Sequence, residues 1–104
     1  MKSKNSKRTT LPRNFIFHKK FQKDWDRLNQ SGRYDMKALK EVMLLLIAND
    51  APLPAEYKDH ALNGEYSAFR ECHIGGDFLL IYYLNEDQNI IEFARTGTHA
   101  ELFK

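Results

Sequence analysis

Seven consecutive apolar residues, FLLIYYL at 78–84, restrict this chain more than any other stretch. A run that is apolar at every position leaves no polar side for solvent, and it is too short for a buried helix. It is therefore expected to be a central strand covered on both faces. Turn formers bound it, with Gly75 and Gly76 before it and NEDQN at 85–89 after it. The preceding AFRECH at 68–73 alternates, which places Phe69, Glu71 and His73 on one face and Arg70 and Cys72 on the other. IIEFAR at 90–95 reads as a further strand. Successive strands on short links form an antiparallel meander.

The first half has a different period. Phe17, Phe21, Trp25 and Leu28 recur at helical spacing, with Lys19, Lys20, Lys23 and Arg27 largely on the other faces. NFIFH at 14–18 is aromatic and β-branched, and reads either as an edge strand or as the start of that helix. Gly32 is a natural C-terminal stop. Asp35 caps a second helix through Met36, Leu39, Val42, Met43, Leu46 and Ile47. Leu44 and Leu45 widen its apolar stripe, so burial on more than one side is expected. Pro52 and Pro54 end it. Helices followed by strands give an α+β class: two N-terminal helices packed on one face of a small, mainly antiparallel sheet, closed by a short C-terminal turn or helix. At 104 residues there is material for one core. Residues 13–104 form the single domain, and residues 1–12 read as a disordered basic tail.

Several function classes are disfavoured. No apolar stretch approaches the roughly 20 residues that cross a bilayer, so no membrane partner is expected. The N-terminus has basic residues but no apolar block and cleavage site. The one cysteine, Cys72, cannot form an internal disulfide, which fits a reducing, cytoplasmic compartment; it reads as a small buried hydrophobe, with catalysis a weak second choice. Charge is lopsided. Residues 1–40 hold twelve Lys/Arg against three Asp/Glu, and residues 41–104 hold four against eleven. A basic half points to an anionic partner, commonly nucleic acid, although a solvated helix face explains the charge equally well.

Polar residues that carry chemistry gather at strand ends. YKDHALNG holds Lys58, Asp59 and His60; RECHIGGDF holds Arg70, His73, Asp77 and Phe78; RTGTHAELF holds Arg95, His99 and Phe103. In a meander such ends can converge on one edge of the sheet. No H-x-x-x-H pair or cysteine set supports a metal site, and no G-x-S-x-G elbow supports a serine nucleophile. What remains is general acid–base chemistry on a phosphodiester. One imidazole takes the proton of a ribose 2′-hydroxyl, another protonates the leaving 5′-oxygen, and guanidinium groups meet the phosphate oxygens. Imidazole suits both transfers because it ordinarily titrates at ~6.5.

The segment from PLPAEYKDHALNG through FLLIYYL, together with FARTGTHAELF, closely resembles the YafQ-type branch of the RelE/ParE toxin superfamily of bacterial toxin–antitoxin systems. The resemblance covers roughly residues 35–103 through three motifs: K-D-H-x-L-x-G, R-x-x-H-x-x-x-D-aromatic and R-T-G-T-H-x-x-L-F. It implies a metal-independent endoribonuclease without cofactor that cleaves mRNA, typically in the ribosomal A site, and a cognate antitoxin that wraps it. DNA would be met only through the antitoxin complex. By motif match, His60, His73, Asp77, His99 and Phe103 fall on the family's functional positions. Phe78 stands where the closest relatives are expected to carry Trp.

The residues also admit blander roles. With the motif, His99 is expected at the end of the last strand as a proton-transfer group, the acid, anchored by Leu102 and Phe103; by position alone it is a surface histidine. His60 serves as base or phosphate contact, or caps its loop. Asp77 orients an imidazole or caps the turn. Arg95 and Arg70 stabilise the phosphorane or pair with Glu71 or Glu92. Lys58, Phe78 and Phe103 are substrate-binding candidates, with Phe103 equally suited to anchoring the terminus. The competing reading is a non-catalytic, ParE-like toxin that binds a protein such as DNA gyrase.

Overall fold

The computed structural model describes residues 11–103. The expected tail therefore lies, for residues 1–10, outside the described residues. The chain runs β1 (Asn14–Phe17), α1 (Lys19–Ser31), α2 (Met36–Ala48), β2 (His60–Ala61), β3 (Arg70–Gly75), β4 (Phe78–Asn85), β5 (Ile90–Thr98) and α3 (His99–Leu102). Short 3₁₀ turns occupy Ala55–Tyr57 and Gly64–Tyr66. The sheet order is β1-β5-β4-β3-β2, parallel only where β1 meets β5. This is the α+β class expected, with the meander intact. NFIFH resolves as an edge strand: His18 donates its backbone N–H to Phe93 O before the chain turns into α1. Phe17 thus lies in β1 and stacks on Phe21, instead of opening the helix.

Asp35 starts α2 and Gly32 stops α1 as expected, whereas α2 ends at Ala48, with Asn49 at φ +57°, ahead of Pro52 and Pro54. Asp35 accepts the Ala38 N–H at 3.0 Å at the head of α2, and Gly32 takes φ +70° at the end of α1. One face of each helix is buried. Phe21, Leu28, Leu39, Val42 and Leu46 meet Cys72, Leu80, Tyr82, Ile91 and Phe93 from the sheet. The expectation of two buried sides for α2 is corrected. Leu44 and Leu45 are 64% and 44% exposed, because α2 is an outer layer with no described element above it. Cys72 is fully buried, and burial, reinforced by the Asp59 and Glu71 carboxylates, pushes its thiol up to about 12. A thiol so protonated is a packing group, which removes the catalytic alternative.

The register decides which residues share a face. His60, Glu71, Ile81 and Arg95 are cross-strand neighbours in one row over four strands. A bulge beside Ile81/Tyr82 puts Phe93 opposite Tyr82, towards the helices, and Arg95 opposite Ile81, away from them. Without that extra residue, alternation from Phe93 would carry Arg95 into the core.

Candidate active site

Glu71 is the centre of the cluster. It sits on β3, on the face away from the helices, with its side chain 3% exposed. His60 is its register partner on β2, and its Nε2 lies 3.4 Å from Glu71 Oε2. His73, two residues along the same strand face, brings Nε2 to 3.7 Å from that oxygen. His99 approaches from β5 and α3, with Nε2 3.9 Å from Glu71 Oε1. The His60 and His73 ring centroids are 6.2 Å apart. Residues 39 positions apart in the chain therefore surround one carboxylate, as the sequence arrangement required.

Each imidazole is set by its own local structure. Lys58 adopts φ +50° and points its carbonyl at His60, which donates from Nδ1 at 2.7 Å. A carbonyl only accepts, so this bond keeps the proton on Nδ1 and leaves Nε2 facing the cluster. His99 opens α3 behind a capping box: Glu101 N–H donates to Thr98 Oγ1, and Thr98 N–H donates to Glu101 Oε1. Asp77 Oδ1 accepts the His99 backbone N–H at 3.4 Å and lies 3.8 Å from its Nδ1. Phe103 packs on the His99 ring at 5.1 Å, and Tyr66 meets Phe103 edge-on at 5.8 Å. Gly97 makes the turn fit: at φ +149°, a Cβ would come within 2.6 Å of Glu101 Oε1 and 3.2 Å of Arg27 Nη2.

The environment of Glu71 is unusual. Its Oε1 is buried without a hydrogen-bond partner among the described residues, and the three imidazole contacts lie beyond good hydrogen-bond length. Its countercharges are all groups that carry charge only when protonated. A buried carboxylate left so incompletely satisfied is costly in stability, and such sites are where proton chemistry is usually housed.

Other candidates fall elsewhere. Arg95 donates Nε to Asp24 at 2.7 Å and Nη2 at 3.2 Å, so it joins neither Glu71 nor Glu92 and is bonded to no imidazole. That hydrogen bond raises its pKa, outweighing desolvation. The reason is α1, whose buried Asp24 also takes the Thr96 backbone N–H on β5 and so lies within reach of the Arg95 guanidinium. Arg70 likewise pairs with Asp59, at 3.3 Å, and Asp59 also accepts from the Tyr82 hydroxyl at 2.5 Å. Phe78 is 7% exposed and packs on Tyr34 in the core, which leaves no free face for a base; position 78 opens the strand that both layers cover. Lys58 contributes its backbone carbonyl, and its side chain is exposed.

A family model for "Bacterial toxin of type II toxin-antitoxin system, YafQ" matches residues 13–104. The chain belongs to the YafQ family. It is 43% identical over 93 residues to the mRNA interferase toxin YafQ of Escherichia coli K12, spanning 89% of this chain and 98% of that protein. It superposes on the E. coli DinJ–YafQ complex structure with TM-score 0.78 and 43% identity, covering 88% of this chain and 99% of that one. A metal-bound toxin from Helicobacter pylori is similar with TM-score 0.77 and 40% identity, over 86% and 98% of the two chains.

In this YafQ-family chain, His60, Glu71 and His73 each offer one ligand atom, all within 4.8 Å of one another. Two imidazoles and a carboxylate are a donor set for a divalent cation. The sequence spacing did not reveal it, because the set is made by a cross-strand pair and an i, i+2 neighbour. Glu71 is the residue that sequence reasoning passed over. The alternation that placed it beside His73 was visible, but it was read only as a partner for an arginine.

Proposed function

We propose that this chain is an endoribonuclease that cuts mRNA on the translating ribosome by metal-independent, histidine-based acid–base catalysis. A cognate antitoxin is expected to neutralise it, as the DinJ–YafQ structures of the relatives suggest. The observation that carries this reading is the convergence of His60, His73 and His99 on the buried Glu71. A non-catalytic binder has no chemical use for three imidazoles around one unsatisfied carboxylate.

In the reaction, the ribose 2′-oxygen attacks phosphorus and the bond to the 5′-oxygen breaks. A base takes the 2′-hydroxyl proton and an acid gives one to the leaving oxygen, leaving a cyclic phosphate and a 5′-hydroxyl. His60 fits the base, since its Nδ1 proton is committed to Lys58 and its Nε2 lone pair is turned inward. His99, 57% exposed and oriented by Asp77, fits the acid. Glu71 is the carboxylate common to the three imidazoles, and His73 completes that cluster. Arg95 and Arg70, committed to carboxylates, frame the site.

The test is a ribosome programmed with a defined mRNA and incubated with purified protein, beside naked-RNA reactions with and without EDTA, and the cut sites mapped. Cleavage that survives EDTA and disappears in His99→Ala supports the proposal. Loss of cleavage with EDTA overturns metal independence, and no cleavage by the wild type overturns the nuclease reading.

A further inference from the structure

Beside the histidine cluster, on the same face of the sheet, lies an open groove of about 490 Å³. Its floor is Ile81 and Ala94, each 6% exposed. One wall carries Tyr66, Phe69 and Phe103, and the opposite rim is formed by His18, Lys19, Lys20 and Arg95 at the start of α1 and on β5. Among the described residues, no carboxylate lines it. Aromatic faces on one side, cations on the other and an apolar floor are what an unpaired nucleotide requires: a π surface for the base and positive charge for its phosphate.

The groove joins the candidate active site without a break. Phe103 packs on the His99 ring at one end, and Tyr66 packs on Phe103. Ile81 and Arg95 continue the cross-strand row that begins at His60 and Glu71. Arg95 is therefore two strand spacings from Glu71, roughly 10 Å. Tyr66 meets Phe103 edge-on, at an interplanar angle of 82°, and presents its exposed face to the groove. The rim cations differ in commitment. Arg95 is bound to Asp24 and His18 to Glu92, whereas Lys19 and Lys20 are exposed and pair with no carboxylate among the described residues. Their charge is available to a ligand.

We propose that this groove binds an unpaired RNA nucleotide adjacent to the scissile phosphate, with Tyr66 stacking on the base and Lys19 and Lys20 receiving the phosphate. The identity of the substrate rests on the nuclease reading above; the groove's affinity for single-stranded RNA does not. Phe69 supports the wall from β3's approach, and Phe103 links the base-binding face to His99.

The test uses a fluorescent, 2′-O-methylated single-stranded RNA of mixed sequence, which cannot undergo 2′-hydroxyl attack. Binding is followed by anisotropy against salt, for the wild-type chain, Lys19→Ala/Lys20→Ala, Tyr66→Ala, Tyr66→Phe and, as a control for net charge, Lys37→Ala on α2. Circular dichroism confirms that each variant is folded. The double lysine variant is expected to lower the slope of log affinity against log salt by about 1.4, the contribution of two phosphate contacts on a single strand. Tyr66→Ala is expected to weaken binding about tenfold, the lower part of the range for one stacked base, and Tyr66→Phe to restore it. On the programmed ribosome, Tyr66→Ala should raise KM and shift the distribution of cut sites.

Unchanged affinity and salt slope in the groove variants overturn the proposal, even if His99→Ala abolishes cleavage and the nuclease reading stands. An equal loss in Lys37→Ala also overturns it, by showing a response to net charge alone. If the wild type cuts no mRNA but the groove variants lose RNA binding as described, the nuclease reading fails and the groove remains an RNA site.

Discussion

Two carboxylates in this molecule are buried to the same degree, and they are treated in opposite ways. The side chains of Asp24 and Glu71 are each 3% exposed. Asp24 accepts from Arg95 twice, from Arg27 and from the Thr96 N–H, at 2.7–3.2 Å. Burial opposes its ionisation, but Arg95, Thr96 and Arg27 outweigh that and hold the carboxyl below its ordinary value. Every partner of Asp24 is permanently charged or part of the backbone. Glu71 has an orphaned oxygen and three imidazoles at 3.4–3.9 Å. A buried charge with fixed, complete partners pins a helix to a sheet. A buried charge whose partners gain and lose protons is suited to moving them.

The largest expected effect belongs to the second kind of site. His99→Ala should lower mRNA cleavage by ~10²–10⁴ with the thermal midpoint unchanged, read by cut-site mapping beside calorimetry. Equal losses of activity and stability would erase the contrast. Asp24→Ala should do the reverse. Breaking its pairs leaves Arg95 without a partner and costs about 3 kcal/mol of stability in urea unfolding, while activity per folded molecule persists.

The pH dependence follows from the same carboxylate. The folded-state pKa of Asp24 lies below the ordinary aspartate value of 3.8, so its contribution is present above that value and fades as pH falls through the folded pKa. Acid unfolding curves of wild type and Asp24→Asn should therefore converge below about pH 4. Glu71→Gln should reduce cleavage about a hundredfold, at the low end of acid–base contributions, with stability unchanged or raised, because a buried, poorly satisfied charge is removed. Tyr82→Phe should give the smallest change. It deletes one hydroxyl bond to Asp59 and should cost about 1 kcal/mol without altering cleavage.

Much of the fold was legible because local periods are strong here. FLLIYYL became β4 at Phe78–Asn85, and the face shared by Glu71 and His73 followed from simple alternation. Asp35 and Gly32 cap the helices because side-chain hydrogen bonding and freedom at positive φ act over a few residues. The candidate site was legible as a set of residues, less so as a set of roles. Arg95 looked like a phosphate ligand from its motif, but its partner Asp24 lies 71 positions away on a helix. Phe78 looked like a stacking platform, and the layer above it turned it inward to Tyr34. Both placements share a cause: each residue is met by an element that reaches it from far along the chain.

The sequence by itself determined the α+β class, the positions of helices and strands, and the set of imidazoles available, since these rest on periodicity and residue chemistry within short windows. Only the tertiary structure decided that His60, His73 and His99 meet at Glu71, that Asp24 claims Arg95, and that a basic, aromatic groove adjoins the cluster. Those outcomes depend on cross-strand register, a bulge between β4 and β5, and the placement of Asp24 on α1 against β5. Packing of the whole chain sets each of these, and a one-residue shift in any strand would reassign every side chain's face.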